Sequence, residues 1–381
     1  MMGIMDPVNG MPVHCIDSEQ TLERAAEGWM RRPLLALDTE FMRVRTYFPQ
    51  AALFQLCDGE ACYLVDPLAV QDLAPLAQVL ATPAILKIMH SCSEDLEVCE
   101  RHLGVLPESL IDTQIVAAFC GHGLSVGYQK MLAQEISVVL EKSETRTDWL
   151  QRPLSTSQLR YAAEDVAYLS ALWTALAQRL DASSAAAWAR EECATVLERF
   201  RERDTANAYR NIGGAWRLEA RGLAVLRALC DWRERTAREK DLPRNWVVPE
   251  AALLQIAQLK PVNAQQLEPL SELQSGSRRR FGSEIVAAVG AGLACAELPA
   301  PVPSPPSAAQ GRLLKALRAH LVQRGASLGI APEMLARRRD LEELLRWRTE
   351  ATPTAGLGLM RGWRREVVGE ELLHLTEGWV L

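Results

Sequence analysis

The chain contains no run of eighteen apolar residues, no apolar N-terminal core of signal-peptide length and no C-x-x-C pair. The first absence excludes an ordinary membrane-spanning helix. The second, with Asp6, Asp17 and Glu19 near the start, leads us to expect a cytoplasmic protein with no membrane contact. The third excludes a zinc ribbon: nine cysteines are scattered from position 15 to position 295, several inside apolar runs, where a reduced thiol packs as a small hydrophobe. His90, Cys92, Cys99 and His102 fall close together, but the two cysteines are seven apart along an expected helix, and no established zinc spacing fits them.

A strong excess of either charge is also missing, since the net charge is −6 over 381 residues. The distribution is uneven. Residues 1 to 200 carry 15 basic and 27 acidic side chains, a net of −12; residues 201 to 290 carry a net of +4, and the remainder +2. An acidic front and a mildly basic rear point to a division between chemistry and binding, although +4 is a weak nucleic-acid signal. The length suits two or three domains.

Turning to what is present, "LLALDTEF", "AALFQLC" and "CYLVDPL" read as a strand meander, with "DGE" as a hairpin turn. From residue 72 a helix "DLAPLAQVLA", a strand "AILKIM", a helix "SEDLEVCERHLG", a strand "SLID" and a helix "TQIVAAFC" alternate, which argues for a mixed sheet flanked by helices. "RPLSTSQLRYAAEDVAYLSALWTALAQRL" reads as one long amphipathic helix opened by a Ser155–Gln158 capping box. Residues 182 to 211 read as helical, a helical bundle follows, residues 298 to 311 with five prolines form a linker, and the last seventy residues again read as all-helical.

The first strand poses a question, because its apolar run passes straight into Asp38 and Glu40. Residues two apart share a strand face, so both carboxylates aim at one spot, where a positive charge is expected between them. Asp95 opens a helix just beyond the strand "AILKIM", and Tyr161 and Asp165 lie four apart on one helix face. Taken singly, Asp95 reads equally as an acid favouring a helix dipole, and Tyr161 as a core residue with a wet hydroxyl.

Together, D-x-E on a first strand, an Asp opening a helix some fifty-five residues later and Y-x-x-x-D on a closing helix resemble the DEDD family of 3′–5′ exonucleases, in its Tyr subset. "HSCSEDLEV", "TRTDWLQRPLS", "YAAEDVAYL" and "YRNIGGAW" are similar to the ribonuclease D family, and "WRERTAREKDLPRNWVVPEAAL" to the HRDC domain that follows its nuclease domain. The resemblance implies an α/β, ribonuclease H-like exonuclease domain over 1–205, an all-α HRDC domain over 212–295 and a divergent second one over 308–381. It implies two divalent ions, Mg²⁺ or Mn²⁺. Asp38, Glu40 and Asp165 would hold the ion that activates water, and Asp38 and Asp95 the ion facing the leaving group. Oxygen ligands suit such ions, and two of them about 4 Å apart supply both a hydroxide and relief of charge on the leaving oxygen. Tyr161, with an ordinary pKa near 10, would position the attacking water.

Contacts to RNA are expected from Phe41 and His90 near the motifs, from Arg146 and Arg152 around Trp149, and from Arg278, Arg279 and Arg280. Arg233, Arg235, Arg238 and Lys240 around Trp232 are expected to add to the same basic rear surface. The implied activity is trimming of tRNA precursors and other small structured RNAs from the 3′ end, with nucleoside 5′-monophosphates released and no protein partner required. The same four acids would serve a DNA 3′–5′ exonuclease, and a catalytically dead, nucleic-acid-binding scaffold is the reading from another class.

Overall fold

The structure, a computed structural model, describes residues 6–140, 144, 147–181, 185–203, 206–350 and 357–377. The chain divides into two compact units, one made of residues 1–42, 51–201 and 306–381, the other of residues 43–50 and 202–305.

The first unit is built on a six-stranded mixed sheet of β1 (Val13–Ile16), β2 (Leu34–Met42), β3 (Gln50–Cys57), β4 (Cys62–Val65), β5 (Leu86–Met89) and β6 (Leu110–Asp112), in the order β1-β4-β3-β2-β5-β6. β3 and β4 are antiparallel, as the "DGE" turn requires, while β5 runs parallel to both β2 and β6. Parallel neighbours need crossovers. Those are supplied by helices among α1 (Glu19–Trp29), α2 (Ala74–Leu80), α3 (Ser93–Leu103), α4 (Thr113–Phe119), α5 (Tyr128–Glu135), α6 (Thr156–Ala167), α7 (Leu169–Asp181) and α8 (Ala186–Arg201). β1, α1 and α5 are additions to the expected elements. β1 has only four residues, too few for its alternation to be read, and takes its place by parallel pairing with β4.

The expected capping box is formed: the Gln158 amide donates to Ser155 Oγ, and the Ser155 amide donates to Gln158 Oε1. The single helix expected beyond it is two helices, broken at Tyr168. The break lets α6 pack on β2 and β4 while α7 packs on α4 and α5, so that each buries its own apolar side.

The second unit is a helical bundle of α9 (Ala220–Glu239), α10 (Arg244–Val247), α11 (Glu250–Leu259) and α12 (Ser275–Ala294). α9 and α12 approach so closely that a Cβ on Gly292 would stand 2.5 Å from the Cα of Val225. Residues 43–50 are built into this bundle. Tyr47 is buried in its core, and the amides of Tyr47 and Phe48 both donate to Asp241 Oδ1 at 2.9 and 3.0 Å.

The chain then returns to the first unit as α13 (Ala308–Leu328), α14 (Pro332–Leu335), α15 (Arg338–Glu350), α16 (Gly362–Arg364) and α17 (Glu370–Glu377). These helices share one hydrophobic core with α4, α5, α7 and α8. Trp363 stacks on Trp188 with centroids 5.4 Å apart and meets Phe119 edge-on. Buried Glu192 accepts from Arg199 and from Arg364, each at 2.7 Å. Burial alone would raise the Glu192 carboxyl, but the two guanidiniums outweigh it and hold the group below its ordinary range.

Candidate active site

Alternation in β2 sorts its side chains. Leu34, Ala36 and Met42 pack with the core under α6, whereas Leu35, Leu37 and Phe41 pack with the core under α1, α2 and α3. Asp38 and Glu40 therefore project toward α6. There they meet Tyr161 and Asp165, one helical turn apart, and the Asp165 charge acts on the Tyr161 hydroxyl. The strand does not stop at Leu37, as an acid-opened turn would require, but continues through both acids to Met42.

Asp95 reaches the site from the other side of the strand. It lies in the first turn of α3, buried, and its Oδ1 accepts from the hydroxyl of Thr39, the residue between the two strand acids. The turn that carries it is held by Asp112, whose carboxylate accepts from the amides of Ser91, Cys92 and Gln114 at 2.9, 3.1 and 2.8 Å. Ser91 needs that support, because its φ of 63° lies in the left-handed region.

The four carboxylates act on one another. Burial raises Asp38 well above the ordinary range, and the charges of Asp95, Asp165 and Glu40 add to it. Burial, then Asp165 and Asp95, push Glu40 up to about 8. Burial, with Glu164 next, pushes Asp165 up to about 8, and burial brings Asp95 to about 6 in spite of the Thr39 hydrogen bond. Tyr161 is raised by burial and by Asp165, Glu40 and Asp38. Tyr128, which the sequence did not single out, is raised by burial and by Asp165 and Asp38, and its hydroxyl donates to the Glu164 carbonyl at 3.2 Å.

No Lys or Arg among the described residues forms an ion pair with any of these four acids. An all-oxygen set of mutually repelling carboxylates suits a hard divalent cation. With Asp95 turned onto Thr39, however, no three His, Cys, Asp or Glu side chains among the described residues stand close enough to hold an ion as they are. The donor set fits a cation, and ligation requires the side chains to draw together.

The other expected contacts fare differently. Trp149 is 2% exposed inside the core under α6, so it offers no ring face to a base. Arg152 is committed to Asp66 at 2.6 and 2.8 Å and to the Ala52 carbonyl, and so clamps a loop where a phosphate was expected. His90 is bonded to Thr113 Oγ1 and to the Val126 carbonyl, and Phe41 packs against the α1–α3 core. Arg146 lies outside the described residues. In the second unit Arg279 and Arg280 are exposed and Arg278 donates to the Glu268 carbonyl, but Trp232 and Arg233 are buried and form no solvated face. His102 accepts from the Ala51 amide, as suits a structural histidine.

A mixed sheet whose central strand and two flanking helices bring four acids and a tyrosine within electrostatic reach of one another is the arrangement expected of a nuclease site. The 3′–5′ exonuclease family model matches residues 13–181, the HRDC domain model residues 222–289, and the model for the C-terminal HRDC domain of ribonuclease D residues 311–372. Ribonuclease D of Pseudomonas paraeruginosa is 40% identical over 97% of this chain and 99% of its own length, and ribonuclease D of Escherichia coli is 40% identical over 96% and 99%. The crystal structure of the Escherichia coli enzyme superposes with a TM-score of 0.89 at 38% identity, covering 97% of this chain and all of that one. The chain belongs to the ribonuclease D family of 3′–5′ exoribonucleases, which confirms the ribonuclease H-like α/β domain with helical HRDC domains. Among the described residues no helix is long and apolar enough to cross a membrane.

Proposed function

We propose that this chain trims tRNA precursors and other small structured RNAs from their 3′ ends in the cytoplasm, releasing nucleoside 5′-monophosphates. The observation that carries the reading is the meeting of Asp38, Glu40, Asp95 and Asp165, each held above its ordinary range by burial, and coupled by charge, beside Tyr161. Mg²⁺ or Mn²⁺ ions bound there would supply a hydroxide near neutral pH and relieve charge on the leaving 3′ oxygen. Asp38, Glu40 and Asp165 would hold one such ion, and Asp38 with Asp95 the other. Tyr161 keeps its proton at neutral pH, since its neighbours disfavour the phenolate, and so orients the attacking water by hydrogen bonding rather than acting as a base. The catalytic part is residues 1–205, with the two helical parts at 212–295 and 308–381. That all nine cysteines are free agrees with a reducing compartment, and the exonuclease described for Escherichia coli as acting in structured RNA processing supports the substrate class.

The test is digestion of an unprocessed tRNA and of a matched oligodeoxyribonucleotide, with and without chelator. Stepwise loss of 5′-monophosphates from the RNA only, abolished by chelator, is expected. Equal digestion of the DNA would contradict the assignment to RNA.

A further inference from the structure

The helical unit contains a cleft of about 410 Å³ walled by the 43–50 segment and by residues from α9 to α11. Its lining is cationic, with Arg43, Arg233 and Arg244 against the single carboxylate of Glu250. Two apolar side chains stand open at it, Trp246 at 52% and Val44 at 65% exposure.

Arg233 is the member that calls for a ligand. It is only 9% exposed, it donates from Nη1 to the Val248 carbonyl at 3.3 Å, and its Nε is buried with no hydrogen-bond partner among the described residues. The neighbouring carboxylate, Glu234, is already shared between Arg238 and Arg244 at 2.9 and 2.6 Å and forms no ion pair with Arg233. The charges of Glu250 and Glu234 act on Arg233 but neither forms an ion pair with it, and burial outweighs them and pushes the guanidinium down from its ordinary range, a costly state for a buried charge. An anion entering the cleft would offset that cost. Guanidiniums match the geometry of phosphate oxygens, and an exposed indole presents a face on which any base can stack.

We propose that this cleft binds RNA, with a backbone phosphate against Arg233, flanked by Arg43 and Arg244, and a base on Trp246. The proposal rests on the reading of this chain as acting on RNA, and adds where the strand is gripped away from its reacting end.

The test measures binding of a labelled ten-nucleotide oligoribonucleotide to the full chain in chelator, across salt, by fluorescence anisotropy. Arg233→Gln and Arg43→Gln are each expected to weaken binding about fivefold or more and to reduce the steepness of the salt dependence by about one phosphate contact. Trp246→Ala is expected to weaken it about tenfold with the salt dependence kept. If Arg233→Gln does not fold, Arg43→Gln and Trp246→Ala decide. Wild-type affinity in folded Arg43→Gln and Trp246→Ala would overturn the proposal. So would an Arg233→Gln protein that loses thermal stabilisation by inorganic phosphate yet binds RNA as before, because the site would then hold a free anion. Wild-type protein that neither binds nor degrades RNA would instead contradict the assigned substrate.

Discussion

Asp165 illustrates, for a single side chain, what a bound cation would relieve. In the folded protein without one it keeps its proton up to about 8, as does Glu40, whereas in the unfolded chain both lose it near 4. Between those values the folded state binds more protons than the unfolded one, so stability falls as pH rises through the window. Asp165→Asn removes that loss. In chelator its Tm should match the wild type near pH 4 and exceed it at pH 8, with turnover abolished at either; a difference that does not change with pH would contradict the assigned cause. Tyr161→Phe removes one hydroxyl beside Asp165 and should lower kcat on the order of 10²-fold while leaving cation affinity nearly intact. An unchanged kcat would make Tyr161 a packing residue. Asp38, Glu40, Tyr161 and Asp165 were legible because periods of two and of nearly four put them on shared faces. Thr39 and Tyr128 were not, since a partner supplied by a distant element leaves no local spacing. Trp149 and Arg152 misled for the converse reason: a Trp beside two Arg looks the same in sequence whether the ring is open or, as here, packed in a core and the Arg clamped to Asp66.

At the scale of elements, the turn into α3 sets where Asp95 stands. Asp112 accepts from the amides of Ser91 and Cys92 there and also caps α4 through the amide of Gln114. Asp112→Ala would leave buried donors unpaired, at a cost of about 1–3 kcal/mol each, and should lower Tm and kcat together. Ser91→Gly should act the other way, raising stability by about 1 kcal/mol, because glycine adopts a φ of 63° without strain. Chemical denaturation of both variants checks the pair; stabilisation by Asp112→Ala or destabilisation by Ser91→Gly would contradict this account of the turn. The capping box of α6 was readable because its four residues are local. The break at Tyr168 was not, since no Pro or Gly marks it and it follows from two different packing partners. β1 was missed because four residues paired to a distant strand carry too little pattern.

At the scale of the whole molecule, domain order in sequence and partnership in space differ. The Pro-rich stretch before α13 marks a boundary, yet the helices beyond it complete the core of α4, α5, α7 and α8 through Trp363, Arg364 and buried Glu192. A chain ended after residue 211 would expose Phe119 and Trp188 and leave Glu192 without Arg364, so it should aggregate or unfold rather than work as a free-standing nuclease. Circular dichroism and sedimentation of that fragment check this, and a folded, monomeric fragment would contradict it. The charge asymmetry was visible in composition, but which basic residues are open was not, since Arg233 is buried while Arg279 is exposed. Whether the four acids form one divalent-cation site is decided by anomalous scattering from crystals of the full chain grown with Mn²⁺. Anomalous peaks are expected among the carboxylates of Asp38, Glu40, Asp95 and Asp165, with Asp95 released from Thr39. Saturating Mn²⁺ that gives no peak among these side chains, in a protein that still degrades RNA, would contradict it.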